Sequence, residues 1–199
     1  MTLPPQVFNG PKSVYAVVLA AGTASRFGTT KQVADIDGEP MVRRVVRVAN
    51  DVCDVQTVVV VGHDGRSVIA ACEPMQGFVV NNPRYKEGLG SSITCGVHAV
   101  RNDADAVIIM LADQPLITAK HVRDLIDAWD GSDTAIVATS FADTQGPPAL
   151  FGSACFDDLC ALRADAGAKS LFDDQKFELT VILFEPAAVD VDTPDDLDR

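Results

Sequence analysis

The sequence predicts a layered α/β protein, a mostly parallel sheet covered by helices, and three observations carry that expectation. Apolar runs of strand length alternate with segments of helical periodicity along the chain. The longest of these runs, 14–21 and 106–112, read as strands buried in the middle of a sheet. With 199 residues, 47% of them hydrophobic, the chain suits one globular domain that needs no metal or disulfide staple to hold it.

Taken in order, residues 1–13 carry Pro4, Pro5, Gly10 and Pro11 and lack a basic start followed by an apolar stretch. They read as a flexible arm ahead of a single domain over 14–199, not as a signal peptide, and the expected compartment is the cytoplasm. Strands are expected at 15–20, 57–61, 78–80, 106–111, 134–138 and 180–183, and helices at 41–49, 66–71, 92–100, 118–129, 153–162 and 168–172. Residues 32–40, with Asp37-Gly38-Glu39-Pro40, read as a short extended segment and turn that pins the preceding loop. The Gly- and Pro-rich stretch 141–150 reads as an inserted loop or hairpin. No apolar run approaches the roughly 20 residues needed to cross a bilayer.

The formal net charge of −12, with no basic run to offset it, argues against nucleic acid or an anionic membrane as partner. A polyanionic substrate would need a local cationic pocket and a metal ion. Five scattered cysteines (Cys53, Cys72, Cys95, Cys155, Cys160) contain no C-x-x-C pair, which excludes a zinc ribbon and a disulfide framework and leaves buried thiols.

In an open α/β sheet ligands bind beyond the carboxyl ends of the strands, so the residues just after each strand matter most. The first strand runs through Leu19, Ala20, Ala21 and Gly22 to Arg26, Gly28 and Lys31. Small residues let the backbone approach a ligand, successive N–H groups form an anion-binding concavity, and Arg26 and Lys31 add two cations suited to a triphosphate. The spacing is neither G-x-x-x-x-G-K-[ST], since Thr29 and Thr30 precede Lys31, nor G-x-G-x-x-G, since Ala24 replaces the second glycine. The plainer alternative is a simple turn with solvated charges. Arg43, Arg44 and Arg47 share a helix face that reads as solvated rather than as a phosphate patch.

Asp113 follows the 106–111 strand directly, which suits a ligand for Mg²⁺, an ion that takes one or two carboxylates and completes its octahedron with phosphate oxygens and water. An Asx turn braced by Pro115 is the alternative. Near the C-terminus Asp190 and Asp192 alternate with valines on an expected strand, ahead of a Thr193-Pro194 helix start, and Asp192 is preferred as the second metal carboxylate. The segment from Asn81 to Ser92 introduces a helix through Gly88, Gly90, Ser91 and Ser92, which fits either a ligand at the helix N-terminus or ordinary capping by a serine.

Read together, Leu19-Ala-Ala-Gly…Arg26…Gly28…Lys31, Asn81-Asn-Pro…Gly-Leu-Gly-Ser-Ser92, Leu111-Ala-Asp-Gln-Pro-Leu116, Gly146-Pro-Pro-Ala-Leu-Phe151, Asp165-Ala-Gly-Ala-Lys169 and Val191-Asp-Thr-Pro-Asp195 resemble the molybdenum cofactor cytidylyltransferase (MocA-like) branch of the MobA-like NTP transferases, over residues 14–197. The resemblance implies a three-layer, Rossmann-like nucleotidyltransferase fold. It implies that Leu19, Ala20, Ala21 and Gly22 line the nucleotide, that Arg26 and Lys31 hold its phosphates as the catalytic cations, that Gly90, Ser91 and Ser92 face the base, and that Asp113 and Asp192 carry Mg²⁺. Ala21, where guanylyl-transferring relatives have Gly, points to CTP. The stretches 146–151 and 165–169 would face molybdopterin, or its molybdenum-loaded form, although Pro147 stands where many relatives have His.

The activity so implied is attack of the molybdopterin phosphate on the α-phosphorus of CTP, with release of pyrophosphate and a molybdenum hydroxylase as recipient of the product. Two rivals remain at this stage, transfer to another phosphorylated acceptor such as a sugar phosphate and a non-catalytic carrier of finished cofactor. An oxidoreductase is disfavoured, because no dinucleotide fingerprint is present and His63, His98 and His121 form no recognisable set.

Overall fold

The computed structural model describes residues 12–22, 30–53 and 56–191. In chain order its elements are β1 (Val14–Ala20), the short strands β2 (Asp35–Ile36) and β3 (Glu39–Pro40), α1 (Met41–Cys53), β4 (Thr57–Val61), α2 (Gly65–Cys72), β5 (Phe78–Asn81), α3 (Leu89–Val100), β6 (Ala106–Leu111), α4 (Ala119–Asp127), β7 (Ala135–Phe141), β8 (Thr144–Gly152), α5 (Phe156–Ala161) and β9 (Glu178–Leu183). Seven strands form one sheet in the order β5-β4-β1-β6-β8-β7-β9, and β2 and β3 pair separately. Within the seven, β8 alone runs antiparallel to its neighbours β6 and β7. The three-layer, mostly parallel expectation therefore holds.

Period-two alternation along β1 explains the layers. Ala16, Val18 and Ala20 face a core shared with Val42, Val45, Val46 and Ala49 of α1, Val68 of α2 and Val122 and Leu125 of α4. Val17 and Leu19 face the opposite core, built with Ile93 and Val97 of α3 and Phe156 and Leu159 of α5. On α1 the spacing 42, 45, 46, 49 is the apolar stripe of a helix lying on a sheet. Gly96 lets α3 approach closely, because a Cβ there would sit 2.4 Å from Val17 Cγ1. Among the described residues, no helix is long and apolar enough to cross a membrane.

The six strands expected between 15 and 183 and the first four helices recur, most of them with shifted ends. Of the two later helices, 153–162 divides into a 3-10 turn (Ser153–Cys155) and α5, and 168–172 is a 3-10 turn (Ala168–Leu171). Two corrections bear on function. The 141–150 stretch is a hairpin, as one alternative had it, but its second arm is β8, a strand absent from the expected set, which sits between β6 and β7. Two prolines, which offer no N–H to a ladder, had hidden it. Residues 189–191, read as a strand ending at Asp192, form none; they are held instead by the Val191 N–H, which donates to the Asp113 carbonyl at 3.1 Å.

Candidate active site

The chain leaves β1 toward β4 and leaves β6 toward β7, in opposite directions across the sheet, which makes the carboxyl ends of these two strands the topological switch point. The two strand ends stay side by side through the parallel register Leu19↔Leu111 and a hydrogen bond from Ala112 N–H to the Leu19 carbonyl (3.1 Å). Ala20 and Ala21 are buried and Gly22 is exposed. The Ala21 methyl packs toward Gly62, where a Cβ would come 3.0 Å from it and 2.6 Å from Tyr85 Cβ, so only glycine fits between the two.

Thr30, Gln32 and Asp64 anchor the chain ahead of α1. The Thr30 hydroxyl donates to Asp64 Oδ2 at 2.6 Å, and the Ser67 hydroxyl donates to Asp64 Oδ1 at 2.9 Å. These bonds, Thr30's foremost, hold the Asp64 carboxyl below the usual carboxylate range. The Gln32 side chain donates to the Gly22 carbonyl at 3.1 Å, bridging the two ends of the loop.

Between these fastenings, Lys31 turns its ammonium to 2.8 Å from Asp113 Oδ2. Lys31 is buried, while Asp113 Oδ1 is also buried and has no hydrogen-bond partner among the described residues. An anionic oxygen in that state fits a hard divalent cation. No cluster of three or more His, Cys, Asp or Glu stands ready to hold a metal among the described residues, so a cation here would need oxygens from elsewhere, as magnesium takes from substrate phosphates. Beside Asp113, Gln114 is buried and donates to the Ala187 carbonyl at 2.9 Å. Together with the Val191 bond, this ties the C-terminal segment to the Asp113 turn. Arg26 and Asp192 lie outside the described residues.

Gly90, Ser91 and Ser92 are part of α3 and all three are buried. Neither serine caps the helix; the N-cap is Gly88, and the Ser91 hydroxyl lies 2.8 and 2.9 Å from the Gly88 and Arg84 carbonyls, which share its one proton. Asn82 donates to both serine hydroxyls, at 2.9 and 3.0 Å, and accepts from Arg84 N–H. Gly88 has φ +105°, and a Cβ on it would fall 2.4 Å from Asp165 Oδ1. Gly90 N–H donates to the Ala164 carbonyl at 2.9 Å. The two glycines thus allow the stretch around Asp165 to close over the start of α3, joining two motifs that are far apart in sequence.

Sequence reasoning passed over Asn82 because a buried hub of this kind has no compositional mark. Asn82→Ala removes the donor to both serine hydroxyls and the acceptor of the Arg84 N–H, and is expected to cost about 1–3 kcal/mol of stability, read as a lowered denaturant midpoint at unchanged m-value. The α1 arginines are structural: Arg43 donates to the Ala71 carbonyl, Arg44 to the Ile36 carbonyl, and Arg47 grips Glu39. They anchor the β2–β3 ribbon and α2 rather than forming a freely solvated face.

The family model described as the MobA-like NTP transferase domain matches residues 16–179. Among curated relatives, the bifunctional protein GlmU of Shouchella clausii is 29% identical over 136 residues, 66% of this chain and 30% of that protein. The purine catabolism protein PucB of Bacillus subtilis is 29% identical over 117 residues, 57% of this chain and 56% of that one. This chain therefore spans about a third to somewhat over half of the length of these relatives. Among solved structures, a homolog of Rv0371c from Mycobacterium sp. strain JC1 superposes with a TM-score of 0.79 at 30% identity, covering 94% of each chain. Rv0371c from Mycobacterium tuberculosis H37Rv, in complex with manganese, superposes at 0.76 and 25% identity, covering 94% of this chain and 97% of that one. Since the matched region opens within β1 and closes within β9, taking in every strand of the sheet, the chain belongs to the MobA-like NTP transferase domain family.

Proposed function

We propose that this chain is a nucleotidyltransferase that transfers a cytidylyl group from CTP to the phosphate of molybdopterin, forming molybdopterin cytosine dinucleotide and pyrophosphate. The observation that carries the chemistry is the ion pair between buried Lys31 and half-buried Asp113 at the carboxyl ends of β1 and β6. A lysine ammonium there can neutralise phosphate oxygens, and Asp113 Oδ1, without a hydrogen-bond partner among the described residues, can face a cation. Arg26 and Asp192 complete the proposed set. Support for Asp192 comes from its neighbour Val191, whose backbone is bonded to Asp113 itself.

Asp113 and Asp192 would hold the divalent ion, Mg²⁺ in this proposal, and the manganese in the Rv0371c complex supports a divalent metal in the family. When bound, such an ion supplies charge neutralisation at phosphate oxygens. The acceptor phosphate needs no general base, since a phosphate monoester is already anionic near neutral pH. One of its oxygens forms a bond to the α-phosphorus, the bond from that phosphorus to the bridging oxygen breaks, and pyrophosphate leaves with the electron pair. Lys31 and Arg26 orient the triphosphate and offset the growing negative charge.

The choice of CTP rests on Ala21, and that of molybdopterin on the resemblance across 146–151 and 165–169. The likeness to a protein of purine catabolism favours a molybdenum hydroxylase acting on purines as the recipient. The test is pyrophosphate release with each of the four nucleoside triphosphates, Mg²⁺ and molybdopterin. CTP with molybdopterin is expected to be turned over fastest. Preference for GTP, or equal turnover of a sugar phosphate, would overturn the assignment, and tight binding of finished cofactor without turnover would favour a carrier.

A further inference from the structure

We propose that His121 is a positioning residue for the acceptor, acting through Thr139 on the Pro147–Pro148 bulge of β8; this rests on the acceptor side assigned above. The bulge is visible in the register. Ala138 pairs with Ala149 and Thr139 with Gly146, so Pro147 and Pro148 have no partners on β7. On its other side β8 stays paired with β6 only up to Ile109↔Ala149, two residues before β6 ends at Leu111. The sheet therefore opens beside the last two residues of β6, roughly 7 Å along the strand, on the approach to Asp113.

Prolines cannot donate to a ladder, so the bulge needs another tether. The Thr139 hydroxyl, fully buried, donates to the Pro148 carbonyl at 2.6 Å. His121 Nε2 lies 2.8 Å from Thr139 Oγ1. The hydroxyl has one proton and the carbonyl can only accept, so the Thr139 oxygen must accept from His121, which fixes the ring as the Nε2–H tautomer. The ring is stacked on Phe184 with centroids 4.2 Å apart, and burial pushes its pKa down to about 4, so it is neutral at physiological pH. His121 sits in the first turn of α4, where its N–H is held by the Thr118 hydroxyl. Since the chain between β6 and α4 carries Asp113, the relay His121 Nε2–H to Thr139 Oγ–H to Pro148 O links the Asp113 loop to the opening in the sheet.

Four variants test the relay. His121→Phe keeps the stack on Phe184 and removes the donor; Thr139→Val removes the hydroxyl; His121→Gln and Thr139→Ser restore a donor and a hydroxyl. With CTP, Mg²⁺ and molybdopterin, the first two are expected to raise the acceptor KM about tenfold while kcat and the CTP KM stay within about twofold, and the second two to return it toward wild type. Hydrogen exchange, read without any acceptor, should quicken at Gln145, Gly146 and Ala149 in the first two variants and not in β1. An unchanged acceptor KM in a folded variant, or a CTP KM that rises in step, overturns the inference. If molybdopterin is not an acceptor at all, the function proposed above fails, and exchange still decides the relay: unaltered rates at 145–149 overturn it.

Discussion

Lys31→Ala is expected to slow nucleotidyl transfer about a hundredfold, equivalent to roughly 3 kcal/mol of lost transition-state stabilisation, the scale of removing one preorganised donor from a developing anion. The ammonium is buried 2.8 Å from Asp113, so its position is set before substrate arrives and no reorganisation is needed when charge moves onto the leaving pyrophosphate. Asp113→Asn should produce a loss of similar size for a different reason, because it keeps the shape of the side chain while removing the negative charge whose Oδ1 has no hydrogen-bond partner among the described residues. The two effects should not add, since each variant disables the same pair. Steady-state pyrophosphate release, with kcat and kcat/KM falling together, is the measurement. If both variants kept turnover within about threefold of wild type, the Lys31–Asp113 pair would not mark the reaction centre.

Phe151→Ala is expected to lower stability by about 3–5 kcal/mol, the usual cost of emptying a buried aromatic site. Phe151 is fully buried on β8, stacks on Phe172 at 6.1 Å, and packs in the core that holds Ile136, Cys155 and Leu159. Its strand is the antiparallel insert between β6 and β7, so the cavity would open at the joint between the two halves of the sheet. Chemical denaturation should show a lower midpoint with the m-value unchanged. A loss under about 1 kcal/mol would mean that the site collapses around the smaller side chain and that β8 is held chiefly by its ladder.

Local pattern was enough to reveal the layers, the central position of 14–20 and 106–111, and Lys31 and Asp113 as the residues to watch. Buried strands announce themselves through continuous apolar runs, and a carboxylate just past such a run stands at the ligand edge whatever the rest of the chain does. Long-range pairing settled the remainder. β8 has poor intrinsic strand character, with Pro147 and Pro148 inside it, and exists because β6 and β7 both offer it a ladder. The link from Gly88 and Gly90 to Ala164 and Asp165, the Asn82 hub, and the relay from His121 to Pro148 each join residues whose side chains or carbonyls carry no periodic signature. Hydropathy reads which face a residue must hide; which polar partner it meets there is a property of the packed chain, where buried donors and acceptors must find one another across any distance in sequence.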